Sequence, residues 1–263
     1  MSVLVRLFGY AYLVLICMFM LAPIAVVLAV SFSPTPVFDL PTGGASLQWY
    51  RKLPGLHGLW DSVRLSVEVA GIATACSLVL GTLCALGILR GRFPGRNGLL
   101  VFVLSPMMLP GVVLGIAMLI AFRGIGLVDG YPSLILAHVV ITLPYVVRVL
   151  YAAFVLFDFT MIDAARSLGY GHARALWHVL VPNVLPSFVT AGMFAFLTSI
   201  DNYALALFLG DVRNVTLPIQ ILNYLDRASD PSVAAIATLM VAVTAVILII
   251  AERLVGARRL IGG

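Results

Sequence analysis

Two short polar stretches hold the residues of this sequence that could do chemistry. Residues 158–186 contain Asp163 among arginines, histidines and glycines, and residues 199–203 contain Asp201 within a long apolar run. The sequence has no Ser/His/Asp grouping, no paired carboxylates at fixed spacing and no thiol-based motif. Its single lysine, Lys52, is not part of the Gly-Lys-Ser/Thr that a phosphate-binding loop requires. We therefore expect that this chain is not an enzyme and carries no ATP site, no metal site and no cofactor.

Asp201 is a carboxylate in an apolar setting. It follows 26 uncharged residues and precedes the apolar run 203–210. At mid-helix and facing lipid, an aspartate costs roughly 2.5–3.5 kcal/mol, so we expect Asp201 to face a cavity, a partner or a cation. Asn202 and Tyr203 can add an acceptor and a ring face for a bound ammonium group. The alternatives are a structural hydrogen bond to a neighbouring span and an interface position at the outer leaflet.

The pattern of residues 158–182 predicts two short helices joined by a glycine turn. The first helix is favoured by Ala164, Ala165, Arg166 and Leu168. Gly169 and Gly171 can end it, because glycine takes the left-handed conformation at little cost. The second helix carries an apolar stripe at helical spacing, formed by Ala173, Leu176, Trp177 and Leu180. Pro182 and Pro186 are then expected to break or kink the chain. Such a rigid pair of helices is a structure that another protein can grip.

The composition places these stretches in a membrane protein. Hydrophobic residues make up 62% of the chain, charged residues only 10%, and the mean hydropathy is +1.11. A soluble domain of 263 residues needs far more polar surface. The net charge of +5 does not indicate nucleic-acid binding, because the arginines are scattered between apolar runs and form no basic face.

Six apolar runs can cross a bilayer, since a span needs about 20 apolar residues. We therefore expect an all-α, polytopic membrane protein with a single transmembrane domain, 1–263. Its spans are predicted at about 10–32, 63–89, 98–122, 131–157, 183–209 and 232–251. The first run is too long for the competing interpretation, a cleavable signal peptide. Pro106, Pro110 and Pro144 are expected to bend the third and fourth spans. His138 is expected to be a hydrogen-bonded core residue.

The basic residues predict the orientation of these spans. With a cytoplasmic N-terminus, the inner side holds ten of them: Arg6, Arg90, Arg92, Arg96, Arg148, Arg166, Arg174, Arg253, Arg258 and Arg259. The outer side then holds six: Arg51, Lys52, Arg64, Arg123, Arg213 and Arg227. Ten against six favours cytoplasmic N- and C-termini, and it places the loop 158–182, between the fourth and fifth spans, in the cytoplasm.

The spacing within this loop resembles the coupling-loop signature of permease subunits of bacterial ATP-driven importers, the type I ABC importers. That signature reads Glu-Ala-Ala, three residues, Gly, nine residues, an aliphatic residue, any residue and Leu-Pro. This sequence matches it with Asp163-Ala164-Ala165, Gly169, Val179 and Val181-Pro182. Asp163 replaces the usual Glu and Val181 replaces Leu, so charge and apolarity are kept. An amphipathic helix lying on the lipid surface is the alternative interpretation.

The resemblance implies the type I permease fold in the bacterial inner membrane and a set of partners. These are a second permease subunit, two cytoplasmic ATPase subunits that bind ATP and Mg, and a periplasmic substrate-binding protein. It also implies that Asp163 meets a basic group of the ATPase, that Ala164 and Ala165 allow close backbone approach, and that Gly169 makes the turn. Leu168 and Trp177 would fill apolar pockets, and Arg166 and Pro182 complete the predicted coupling set.

Residues 194–230 resemble the second permease subunit of spermidine/putrescine importers, which has Ser-x-Asp-Asp where this chain has Ser199-Ile200-Asp201-Asn202. The resemblance implies a substrate pathway containing Ser199, Asp201, Asn202 and Tyr203, with polyamines as the leading cargo. The missing second carboxylate suits a less cationic cargo or a shorter diamine. Ferric iron, thiamine, amino-acid derivatives and phosphonates remain open as cargoes. An ATP-independent secondary transporter is the alternative from another class.

Overall fold

The structure is a computed structural model that describes residues 3–228 and 230–261. Of the predicted domain 1–263, residues 1, 2, 229, 262 and 263 lie outside the described residues. The described residues form helices and the connections between them and contain no strand, as predicted. The described residues form twelve α-helices, in this order: α1 Val3–Val30, α2 Gln48–Lys52, α3 Leu59–Arg90, α4 Arg96–Leu104, α5 Gly111–Gly124, α6 Gly130–Leu156, α7 Thr160–Ser167, α8 His172–Ala175, α9 Val181–Ile200, α10 Tyr203–Leu209, α11 Leu217–Arg227 and α12 Ser232–Ile261.

Five helical segments of the described chain are long and apolar enough to cross a membrane. They are Leu7–Val30, Leu59–Arg90, Gly130–Leu156, His172–Ile200 and Ser232–Arg253. A sixth candidate is a bent pair, Arg96–Met108 and Gly111–Gly124, whose two halves differ in direction by 111°. Each of the six predicted spans therefore falls largely on helix.

The bend in the third span lies at a proline, as predicted. Leu109 and Pro110 have extended backbone angles, with ψ of 139° and 132°. The ring of a proline disfavours helical geometry in the residue before it, so the helix stops at Met108 and restarts at Gly111. By contrast, α6 continues through Pro144 as one helix from Gly130 to Leu156.

The predicted extent of the fifth span, 183–209, differs from the structure at its second end. The helix stops at Ile200, and Asp201 and Asn202 separate it from α10. The Oδ1 atom of Asn202 accepts a hydrogen bond from the backbone N–H of Leu205 at 2.9 Å. Asn202 is therefore the N-cap of a new helix, and hydropathy could not reveal this break because the flanking residues are apolar.

Pro182 and Pro186 are predicted to break or kink the chain, and of these two outcomes the break is wrong. Helix continues from His172 to Ile200, and a π-helical turn, Leu176–Leu180, precedes Pro182. The N–H of Val181 donates to the carbonyl of Leu176, five residues back. This wider turn makes room one turn before Pro182, where a proline ring would clash with a carbonyl of an ordinary α-helix.

The described chain divides into two compact units. One comprises the described parts of residues 1–59 and 221–244, and the other comprises those of 60–220 and 245–263. The second unit holds the loop 158–182 and residues 199–203. That the whole chain forms one permease domain stays a prediction.

Candidate functional site

The loop after α6 has the predicted arrangement of helix, glycine turn and helix. The Oδ1 atom of Asp158 accepts a hydrogen bond from the N–H of Thr160 at 2.9 Å, where α7 begins. Hydrogen bonds from the side chain and backbone of Thr160 also lower the pKa of Asp158 below its ordinary value. These bonds fix the start of α7.

A Schellman motif ends α7. Gly169 has a φ of +91°, and its N–H donates to the carbonyl of Arg166 at 3.0 Å. The N–H of Tyr170 donates to the carbonyl of Ala165 at 3.2 Å. A left-handed residue is required at this point, so the helix pair depends on glycine here.

The residues predicted to contact an ATPase lie on the accessible side of this loop. Leu168 is 82% exposed and Trp177 is 68% exposed, although both are large and apolar. Asp163 and Arg166 are also exposed and lie 3.7 Å apart as an ion pair on α7. The remaining members are exposed or, for the second alanine, partly buried: Ala164, Ala165, Gly169 and Pro182. The structure therefore brings this set together on one loop.

The opposite side of the loop is part of the hydrophobic core. Ile162 of α7, Ala175 of α8 and Leu180 are almost completely buried. They belong to one cluster with residues of three spans: Ala85 of α3, Val146, Leu150 and Phe154 of α6, and Val184, Ala191 and Ala195 of α9. Because close-packed cores transmit displacement, the loop and these spans can move together.

Arg90, at the end of α3, makes a further contact with the loop that sequence reasoning missed. Its guanidinium carbon lies 4.6 Å from the ring centroid of Phe159, a cation–π geometry. Phe159 in turn packs edge-on against Phe157, with the ring centroids 5.1 Å apart. Residues 90 and 159 are far apart in sequence, so no periodicity could have paired them.

The four residues predicted for the substrate pathway have different surroundings. Ser199 is buried, and its Oγ atom lies 2.7 Å from Nδ1 of His138. Asn202 caps α10 through its side-chain oxygen. Asp201 and Tyr203 are exposed. Two of the four thus have structural partners, while the other two remain accessible to a solute.

His138 belongs to a buried polar layer within the second unit, as its predicted role requires. Besides the bond to Ser199, the carbonyl of His138 accepts a hydrogen bond from Oγ1 of Thr142 at 2.7 Å. That hydroxyl also lies 2.7 Å from Oγ of Ser77 in α3. Hydrogen bonds between spans satisfy polar groups that lipid cannot, so this layer joins α3, α6 and α9.

The loop between α10 and α11 forms a second exposed region. Val212 is 96% exposed beside Asp211, and an open cavity of 550 Å³ is lined by Asp129 and residues 211–214. Burial raises the pKa of Asp211, but hydrogen bonds from the backbone N–H groups of Arg213 and Asn214 outweigh it, and the pKa is lowered overall. Asp211 is therefore a carboxylate whose position is fixed.

Comparison with protein-family models matches residues 77–260 to the family described as binding-protein-dependent transport system inner membrane component. Among curated proteins, the chain is 28% identical over 242 residues to the spermidine/putrescine transport system permease protein PotC of Haemophilus influenzae. That match covers 92% of this chain and 94% of the relative. The chain is also 32% identical over 211 residues to the molybdenum transport system permease protein ModB of Mycobacterium bovis, covering 75% of this chain and 79% of that protein.

Among solved structures, the chain is similar to one from a bacterial ABC transporter involved in the import of the acidic polysaccharide alginate. The TM-score is 0.72 at 17% identity, and the match covers 96% of this chain and 98% of that one. At this identity the likeness shows the fold alone, and it confirms the predicted permease fold. The family match spans well over half of the sequence. The chain therefore belongs to the family of binding-protein-dependent transport system inner membrane components.

Proposed function

We propose that this chain is one of two transmembrane subunits of an ATP-driven importer, and that it forms half of a pathway for polyamines or related small cationic solutes. The observation that carries the proposal is the coupling loop, residues 158–182: one side exposes Leu168 and Trp177, and the other side belongs to the core of three spans. The family membership and the name of the PotC relative support it.

Two cytoplasmic ATPase subunits supply the energy, and ATP and Mg bind to them. One of them grips the loop of this chain, with Asp163 opposite a basic group and with Leu168 and Trp177 in apolar pockets. Fully burying a leucine side chain contributes roughly 1.5–3 kcal/mol, which favours a specific docked position. When the ATPase subunits close and open, the loop follows, and α3, α6 and α9 move with it because they share its core.

The second permease subunit and the bilayer cover the large apolar surface of the spans. Orientation follows from the distribution of basic residues, with both termini in the cytoplasm of a bacterium and the coupling loop on the same side. The outer loops then face the periplasm. There, the exposed Val212 and the fixed carboxylate of Asp211 offer the substrate-binding protein one apolar and one charged contact.

For the cargo, Asp201 and Tyr203 supply a carboxylate and an aromatic ring at the break after α9. A carboxylate and a ring face are suited to an ammonium group. The ModB relative is named for molybdenum transport, so members of this family differ in cargo. Ferric iron, thiamine, amino-acid derivatives and phosphonates are the competing cargoes for this chain.

Reconstitution tests the proposal. The chain is purified together with the proteins that co-elute with it, and the complex is placed in liposomes. Uptake of labelled putrescine is then measured with and without ATP on the side of the membrane that the ATPase subunits face. We expect an ATPase and a second permease to co-elute, and uptake to require both ATP and the binding protein. A homo-oligomer that transports without ATP would instead identify a secondary transporter.

A further inference from the structure

Lys52, the single lysine of the chain, lies in an unusual environment in the first unit. Its Nζ atom is 2.5 Å from Oδ2 of Asp230. The same nitrogen lies 5.6 Å from the ring centroid of Trp49 and 5.9 Å from that of Tyr224. One ammonium group therefore meets a carboxylate and two aromatic rings at once.

Trp49, Tyr224 and Asp230 surround the ammonium group like the walls of a cage. The carboxylate of this cage, that of Asp230, is held by groups other than Lys52. The hydroxyl of Tyr224 donates to Oδ2 of Asp230 at 3.0 Å, and the backbone N–H of Ser232 donates to Oδ1 at 3.0 Å. The Asp230 side chain is only 14% exposed. Its position is thus fixed from two sides.

The Trp49 wall is held in the same way. Trp49 is buried, and its Nε1–H donates to the carbonyl of Ser33 at 2.7 Å. The indole ring therefore keeps its place through a contact that does not involve the ammonium group. The walls come from two segments of the unit: Trp49 lies in α2, whereas Tyr224 lies in α11 and Asp230 six residues after it.

The occupant differs from the walls. The side chain of Lys52 is 45% exposed, and it ends α2, a helix of five residues. A lysine side chain has a flexible stem of four carbons. Lys52 can therefore leave the cage by rotation of its side chain, without unfolding any element of the unit.

The chemistry of the cage is specific for one kind of group. A primary ammonium carries three N–H donors for carboxylate oxygens, and its charge is attracted to aromatic ring faces. Aromatic cages that contain a carboxylate bind alkylammonium ligands in this way. The carboxylate of Asp230 would repel an anion, and a neutral solute would lack the charge that the carboxylate and the rings attract.

We propose that Trp49, Tyr224 and Asp230 form a binding site for a primary alkylammonium group, which Lys52 occupies in this structure and releases when a soluble amine competes. The site is distinct from Asp201 and from the coupling loop. Its meaning for transport, as a place where a cationic cargo stops before entering the pathway, rests on the proposed function.

Because Lys52 would compete with soluble amines for the cage, the proposal predicts that removing Lys52 raises the affinity for amines. A group on a short, flexible tether has an effective concentration on the order of 1 mM or more at a site within its reach. Lys52 therefore competes strongly with soluble amines, and the wild-type protein should bind them weakly. Removing Lys52 should increase amine affinity by about tenfold or more, because the competitor is lost.

The experiment measures binding of labelled putrescine to the 263-residue chain in nanodiscs by equilibrium dialysis, with Asp201→Asn present throughout to silence the candidate pathway. Lys52→Met removes the ammonium but keeps an unbranched apolar stem, and Lys52→Ala is the second variant. The matched control is Arg51→Ala, which removes the same charge from the neighbouring exposed position. Methylammonium should compete with putrescine, and 1,4-butanediol should not.

We expect tighter binding in both Lys52 variants, unchanged binding in Arg51→Ala, and loss of the gain when Asp230→Asn is added to Lys52→Met. Equal affinities in Lys52→Met and Arg51→Ala would overturn the proposal, as would a gain that survives Asp230→Asn. Monodisperse elution of each variant shows that it is folded. The assay needs neither ATP nor transport, so the gain in putrescine affinity can be observed even if the importer carries another cargo. In that case the proposed function fails and the proposed ammonium site stands.

Discussion

Gly169 is the residue on which the shape of the coupling loop depends. Its φ of +91° lies in the left-handed region, where an L-residue costs about 1–2 kcal/mol. A Cβ at this position would meet open space. Any effect of a side chain here therefore comes from backbone strain, which would turn α7 relative to α8.

We predict that Gly169→Val lowers ATP-driven transport by about tenfold, a value that corresponds to roughly 1.4 kcal/mol, while the protein remains folded and inserted. Uptake by proteoliposomes is the measurement. Gly171→Val is the matched control, because Gly171 has an extended backbone, φ −64° and ψ 154°, and open space around its Cβ. Wild-type uptake by the Gly169 variant would contradict the assigned turn.

Asp201 is an exposed carboxylate at the end of α9. We expect Asp201→Asn to raise the KM for a cationic cargo by about tenfold, the loss of one charged hydrogen bond, with complex assembly unchanged. Asp226→Asn removes the same charge from an exposed position on α11 and serves as control. If both variants transport equally well at every substrate concentration, Asp201 is not part of the pathway.

The end of α3 makes a direct contact with the coupling loop. Arg90 lies over the ring of Phe159, the residue just before α7. The Phe157–Phe159 pair continues this contact to the residue after α6. The end of α3 is therefore attached directly to the loop, in addition to the shared core.

We predict that Arg90→Ala weakens this attachment by about 0.5–1 kcal/mol, the strength of an exposed cation–π contact, so that ATP hydrolysis continues while transport per ATP falls two- to fivefold. The measurement is uptake and phosphate release in the same proteoliposomes. Arg92→Ala is the control, since Arg92 is an exposed arginine two residues away. An unchanged ratio in the Arg90 variant would remove this contact from the coupling route.

The elements also show what could be predicted from the sequence. Hydropathy located the six apolar runs, and glycine chemistry located the turn at Gly169, because both signals are local. The continuation of helix through Pro182 and Pro186 was missed, since the π-helical turn that accommodates Pro182 depends on hydrogen bonding rather than on residue type. The helix break at Asp201 was missed because a single N-cap interrupts an otherwise apolar run.

The other features that could not be predicted from the sequence are contacts between segments that are distant in the chain. The bond between His138 and Ser199, the Arg90–Phe159 contact and the Lys52 cage each join residues far apart in sequence. A single sequence contains no spacing that identifies such pairs. His138 was nevertheless predicted to be a hydrogen-bonded core residue, because a polar group within a span must find a partner inside the protein.

The described chain exposes a large apolar surface. Along α1 alone, large side chains are exposed on every side of the helix, including Phe8, Tyr12, Leu15, Phe19 and Leu21. Lipid, or a neighbouring subunit, must cover such a surface. What remains open to water is the polar connections between spans, and their sidedness decides which partners can reach them.

The sidedness of these connections can be measured by cysteine labelling. Leu168 in the coupling loop and Val212 in the loop after α10 are both highly exposed, so a cysteine at either position should react readily. In a background with Cys17, Cys76 and Cys84 replaced by alanine, an impermeant maleimide added to intact spheroplasts should label Val212→Cys and not Leu168→Cys. Inside-out vesicles should give the reverse pattern, because ten of the sixteen basic residues fall on the cytoplasmic side in this orientation. Labelling of Leu168→Cys from outside would place the loop where no ATPase can reach it, and the coupling assignment would then fail.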